Sequence, residues 1–239
     1  MSSNNKELRT VARQFASADD RRAWIELGVS LLLWVASLAV GLASIGTWWI
    51  MLPAILLSAT MGLRIYMIQH DCLHRSFFTS RKVNDVVGSL ISPIAMTPYK
   101  ATRYIHNLHH TYVSDLDRRD TFEIYTMTLK EYQAASPWAK VRYRLYRTPL
   151  TLILLGPFIF YLIIRRVPLY GFKTGVGDLI LHNVLLAAML TGIWYLAGWA
   201  GIGVWAASIY FASVAGALNA TLMERPSSCR PITSPTPST

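Results

Sequence analysis

The chain has 239 residues, 53% of them hydrophobic and only 15% charged, and its mean hydropathy is +0.33. Soluble domains of this size carry about a quarter charged residues, so the deficit points to a membrane protein rather than a soluble globular one, and apolar runs of about 20 residues make it an all-α one. The formal net charge of +10 would suit nucleic acid or an anionic membrane, and the long apolar runs decide for the membrane. Lys and Arg beside such runs act as positive-inside anchors, not as a nucleic-acid face.

Residues 1–24 are polar and mixed in charge, and read as a cytoplasmic N-terminal segment. The run 25–44 is about 20 residues long, enough to cross a hydrocarbon core of ~30 Å. It is no secretory signal, because its polar leader is too long and no small-residue cleavage pattern follows. The uncharged "SIGT" leads to a second run, 48–68. Trp48 and Trp49 suit its interface, and Arg64 can snorkel outward near its other end.

From 69 to 177 the chain is basic and carries nearly all the histidine, which reads as a cytoplasmic helical cap. Within it, "NDVVGSLISPIAM" is too short to span and suits a packed or re-entrant segment. "TLKEYQAASPWAKVRYRLYR" opens with the capping-box pair Thr128 and Glu131 and continues as an amphipathic surface helix or a solvated basic one. "PLTLILLGPFIFYLII", broken by Gly156-Pro157, belongs at the interface. Runs 179–199 and 203–222 complete about four spans within a membrane domain at 25–222. Neither short connection, 44–47 or 198–203, carries Lys or Arg. Both chain ends and the central segment therefore face the cytoplasm across an inner membrane. The tail 223–239, "MERPSSCRPITSPTPST", has a disordered composition.

Five of the six histidines fall in two boxes. In "HDCLH", His70 and His74 are four apart, and in "HNLHH" His106, His109 and His110 follow at i, i+3 and i+4. Each spacing puts its imidazoles on one helical face. Imidazole suits iron, zinc or copper, and five exceed what one tetrahedral zinc takes, so two metals are expected. The sixth, His182, opens the third run and is left out of the ligand set. Asp71, Asp115, Asp117 and Asp120 could hold imidazole N–H groups or balance Arg75, Arg118 and Arg119. Of the two cysteines, Cys72 and Cys229, Cys72 points off the histidine face and reads as packing. No disulfide framework or zinc ribbon is available.

The two boxes resemble HxxxH and HxxHH of the membrane fatty acid desaturases. The flanking "RSFF…VNDVVG" and "SDLDRRDTFEIYTMTLKEY" look most like the bacterial acyl-lipid enzymes of the omega-6 type. The resemblance covers about 20–215. It implies a di-iron centre, two iron ions held by His70, His74, His106, His109 and His110. That centre would activate O₂ and remove two hydrogens from an acyl chain. It also implies a membrane-lipid substrate and an electron donor of ferredoxin or cytochrome type, since "GFKTGVGDLI" is no dinucleotide fingerprint.

Two departures stand out. Leu73 occupies a position often held by Gly in the first box, and a third histidine cluster after the fourth run is missing. The missing box reads as a truncated or frameshifted frame or a genuine short paralogue, and in each case this chain alone is expected to bind iron substoichiometrically and not to desaturate. Three rivals use the same residues. A lipid or carotenoid hydroxylase or ketolase would share the scaffold. A zinc protease would use "HDCLH" with Asp71 in place of the usual Glu, leaving the second box unexplained. A metal transporter usually carries ionisable residues inside its spans, whereas these span interiors lack carboxylates and hold only Arg64 and His182 near their ends.

Overall fold

A computed structural model describes residues 17–112, 125–156, 159, 161 and 174–223. Among the described residues every regular element is helical, and three helices are long and apolar enough to cross a membrane. The protein is an all-α membrane protein.

Helix α1, Asp20–Ala43, starts five residues before the expected 25. "DDRR" is charged but not helix-breaking. Asp19 caps the helix by accepting from Arg22 N at 3.2 Å. Asp20 ties the same end to the loop after α2, accepting from Thr79 N at 2.8 Å and Thr79 Oγ1 at 2.6 Å. Helix α2 is Trp48–Leu73. The two pack along a stripe on α1 of Leu27, Ser30, Trp34, Ser37, Leu38 and Gly41, which recurs every three or four residues. Ala54, Ser58, Ala59 and Gly62 face back from α2. Small residues let the backbones approach closely, which is how helices associate where hydrophobic burial gives no drive. Arg64 Nε donates to Ser30 Oγ at 2.9 Å, and Nη2 is 3.8 Å from Glu26 Oε2, toward the charged end of α1. Trp48 and Trp49 stay exposed at the end of α2 nearest the turn.

Three short helices gather under the other end of α2: α3 (Arg81–Leu90), α4 (Ser92–Ala95) and α5 (Tyr99–Tyr112). The expected packed segment is thus two helices. Buried Gln69 fixes them, since its Nε2 donates to Gly88 O and Thr97 O, both at 3.0 Å, and its Oε1 accepts from Thr97 Oγ1.

The expected surface helix is broken into α6 (Leu129–Ala134) and α7 (Pro137–Tyr146). The capping box of Thr128 and Glu131 forms as expected. The break follows from Pro137, which has no N–H for a continuing helix, and from Ser136, which caps α7 through Ala139 N at 3.2 Å. A π-helical segment, Leu150–Leu155, follows.

The last helix, α8, is Val176–Met223, 48 residues. Straight, it would be about 72 Å long, more than twice the ~30 Å hydrocarbon core. It bends at Gly198, with φ 58° and ψ −152°, a conformation only glycine adopts readily. A Cβ on Gly201 would lie 3.2 Å from Ile193 O, whereas eight residues of continuous helix span about 12 Å. The chain therefore folds back on itself, and the expected loop at 198–203 shrinks to one residue. The first arm starts beside α3 and α5, where Asp178 meets Ser89 and Lys100. The second arm passes Gly41 through Val204 and reaches Leu63 at Gly216.

Residues 1–16 and 224–239, with the Pro157 break and Cys229, lie outside the described residues.

Candidate metal centre

The first histidine pair sits on the last turn of α2. Its rings are 4.7 Å apart between centroids, as i,i+4 spacing dictates. Helix α2 then closes with a Schellman arrangement. Arg75 N donates to Cys72 O at 2.9 Å and Ser76 N to Asp71 O at 3.1 Å, with Arg75 at φ +57° in the position glycine usually takes. That closure turns the chain away directly after His74 and leaves both imidazoles on an open end.

Helix α5 supplies the other three. It approaches α2 so that His106 lies 4.6 Å from His70 and 4.7 Å from His74 between ring centroids. His106 Nε2 is 2.8 Å from His74 Nε2 and 3.0 Å from His110 Nε2. Ligand atoms of His70, His74 and His106 all fall within 4.8 Å of one another, a group that could hold a metal ion. His110 joins at 4.5 Å from His106 and 5.1 Å from His74. His109 is at the margin, 6.3 Å from His106 and 5.8 Å from His110. The structure thus brings all five together, with His106 in the middle.

The electrostatics keep the central imidazoles neutral. Burial, then the neighbouring imidazoles of His70, His110, His74 and His109, push His106 down to about 3. His74 is lowered by burial and by His70 and His110, against a smaller opposing effect of Asp71. Imidazoles that stay neutral keep a lone pair, which metal binding requires. The donors are all nitrogen, a set that iron accepts, so the residues present fit the metal.

The candidates around the boxes divide. Asp71 Oδ1 stands 3.5 Å from His70 Nδ1. Asp115, Asp117, Asp120, Arg118 and Arg119 lie outside the described residues. Cys72 is fully buried, in keeping with packing. His182 is buried with Nδ1 2.9 Å from Ser92 Oγ, and it is not part of the histidine group.

Two carboxylates that contact the segments bearing the boxes escaped the sequence reading. Asp85, not Asp71, pairs with Arg75. Asp178 accepts from Lys100 N at 2.8 Å and from Ser89 Oγ at 2.9 Å, so a residue 78 positions away caps the first turn of the histidine-bearing helix. The signal for Asp178 was present: no other acidic residue occurs between it and Glu224.

Comparison with known proteins gives a consistent picture. A family model described as fatty acid desaturase matches residues 46–225. A fatty acid desaturase of Bacillus subtilis (strain 168) is 31% identical over 200 residues, covering 81% of this chain and 56% of that protein. The sn-1 oleoyl-lipid 12-desaturase of Picosynechococcus sp. is 31% identical over 140 residues, 59% of this chain and 39% of the relative. A chloroplastic omega-6 fatty acid desaturase of Glycine max is 33% identical over 116 residues, covering 48% and 26%. The matches thus span about half the length of these relatives or less. No solved structure matches.

Proposed function

The chain belongs to the fatty acid desaturase family, and from that premise we propose that its five clustered histidines hold the iron at which a membrane lipid's acyl chain is desaturated. The observation that carries this reading is the convergence of two separate boxes, with His106 Nε2 2.8 Å from His74 Nε2.

The ligands are His70, His74, His106, His109 and His110, for two iron ions. Bound there, iron supplies the O₂-dependent oxidation that removes two hydrogens from an unactivated acyl chain. The protein's own part is to keep the imidazoles neutral and aimed inward, and to bring the lipid alongside. An apolar crevice between α2 and the second arm of α8 supports lateral entry. Gly62, Leu63, Met96, Ile209 and Gly216 line it, and so does Tyr66, one helical turn before His70. The relatives' names extend the reading to an oleoyl-type chain on a membrane lipid, desaturated at an omega-6 position.

Residues 25–222 form the membrane unit, flanked by 1–24 and 223–239. With the bend at Gly198 the unit crosses the membrane four times. The N-terminus and the histidines then share the cytoplasmic side of an inner membrane, as the basic segments require. Electrons come from a ferredoxin or cytochrome-type donor that docks on the basic cap.

Lipid analysis tests the activity. A host is made to produce the chain, alone and joined to the unmatched remainder of the Bacillus relative. New double bonds are expected from the joined form, and their loss on His106→Ala. An iron-loaded protein that leaves acyl composition unchanged in both forms, or that adds hydroxyl groups instead, would overturn the desaturase reading.

A further inference from the structure

We propose that Asp85 is a positioning residue that sets the separation of the two histidine boxes by bracing the end of α2 against the start of α5. The proposal rests on reading the five histidines as metal ligands, and its geometry stands on its own.

Asp85 belongs to α3, which carries no histidine, yet its carboxylate meets both histidine helices. Just past the end of α2, Arg75 directly follows His74 and grips Asp85 with two bonds, Nε to Oδ1 at 3.1 Å and Nη2 to Oδ2 at 2.6 Å. From α5, the Tyr99 hydroxyl lies 3.0 Å from Oδ1 and Arg103 Nη1 donates to the same oxygen at 3.3 Å. Arg103 stands three residues before His106, one turn away on its face. Tyr99 closes the loop, since its hydroxyl also lies 2.7 Å from Cys72 O in the last turn of α2. One carboxylate therefore joins the residue after the first box to the helix that presents the second.

Two further features fit a brace. Arg75 holds the left-handed conformation at φ +57°, where glycine is the default and a side chain is strained. The bidentate pair with Asp85 gives a reason for arginine there, because planar guanidinium–carboxylate pairing fixes direction as well as charge. Helix α3 is in turn immobilised. Asn84, fully buried, accepts from Phe78 N at 3.1 Å and donates to Phe78 O at 2.7 Å and Ser80 O at 2.9 Å. Gln69 holds Gly88 O from α2. Asp85 thus stands on a fixed base, and a shift at either arginine moves His74 relative to His106.

The test uses nitroxide labels on exposed Ser76→Cys and Asn107→Cys, with Cys229→Ser and buried Cys72 retained. Dipolar EPR on the metal-free membrane protein reads the separation of the boxes, and Co²⁺ titration reads the site. Asp85→Asn and Arg75→Gly are both expected to broaden the distance distribution. Both should also weaken Co²⁺ binding about tenfold or more, as for removal of groups that orient ligands. Arg75→Gly matters most, because glycine keeps the turn after His74 and only the brace is lost. Asp85→Glu keeps the charge on a longer arm and is expected to shift the mean distance without restoring affinity. Unchanged distances in both Asp85→Asn and Arg75→Gly would overturn the proposal, as would full recovery by Asp85→Glu. A His106→Ala protein that binds Co²⁺ as tightly as wild type would instead refute the ligand reading, and the metal-free distance measurement would still decide the brace.

Discussion

His74 Nε2 and His106 Nε2 stand 2.8 Å apart although 32 residues separate them along the chain. Contacts between polar groups so distant in sequence are made by the fold, and this one makes His106 the hub of the cluster. Its ring neighbours His70, His74, His109 and His110, while His109 sits at the margin. The five positions should therefore be unequal. His106→Ala is expected to weaken metal binding by more than the roughly 100-fold seen when a ligand-orienting group is lost, and His109→Ala by roughly tenfold. Iron per chain and Co²⁺ titration of the purified variants check the ranking. Equal losses would show that His106 has no central role.

Gly88 and Tyr99 make a second pair that can be tested. A Cβ on Gly88 would collide with the Tyr99 ring, inside a buried contact whose ring cannot swing away without abandoning Cys72 O and Asp85. Gly88→Ala is expected to cost about 1–3 kcal/mol by overpacking. Thermal unfolding in detergent measures it, and an unchanged midpoint would place the Tyr99 ring elsewhere.

The carboxylate at Asp85 gives a pH dependence of definite sign. Burial raises its pKa, but the Arg75 bond, the Tyr99 hydroxyl and the charges of Arg75 and Arg103 outweigh this and hold it below the ordinary carboxylate range. A depressed folded-state pKa contributes stability that is present above the unfolded value of about 3.9 and is lost as pH falls through the folded value. The contribution is modest, below about 1 kcal/mol for side chains this exposed. Unfolding midpoints of wild type and Asp85→Asn should therefore differ at pH 7 and converge as pH drops below about 4. A constant difference down to acid pH would contradict this sign.

The orientation in the membrane follows from where Lys and Arg lie. Cysteines replacing Lys82 and Lys140 are expected to resist an impermeant reagent in intact cells and to react after lysis. A Cys229→Ser background leaves buried Cys72 as the only other thiol in the sequence. Reaction at Lys82→Cys in intact cells would reverse the orientation. Reaction at Lys140→Cys alone would mean that the chain crosses the membrane between the two positions.

Much of the architecture was legible because it is local. Apolar runs announced the long helices, and the histidine spacings put each box on one helical face. Thr128 and Glu131 formed the box their spacing predicts. The misreadings fell where a local rule met a distant partner or an early breaker. The amphipathic pattern of 128–147 ignored what Ser136-Pro137 does to a backbone. Asp85 and Asp178 were missed for a common reason: their partners lie from 10 to 89 residues away, beyond the reach of any periodicity.

The sequence by itself determined that this is a helical membrane protein and which side chains form each histidine box, since hydropathy and helical period depend only on neighbours along the chain. The tertiary structure alone decided that the two boxes meet and that His106 stands between the others. It also decided that Asp85 joins the two helices that carry them. Those outcomes depend on how α2, α3 and α5 pack, with Gln69, Tyr99 and Arg75 satisfied by groups from other helices. Gln69 and Tyr99 lie in an interior where an unpaired polar atom is costly, and their partners hold α2, α3 and α5 together.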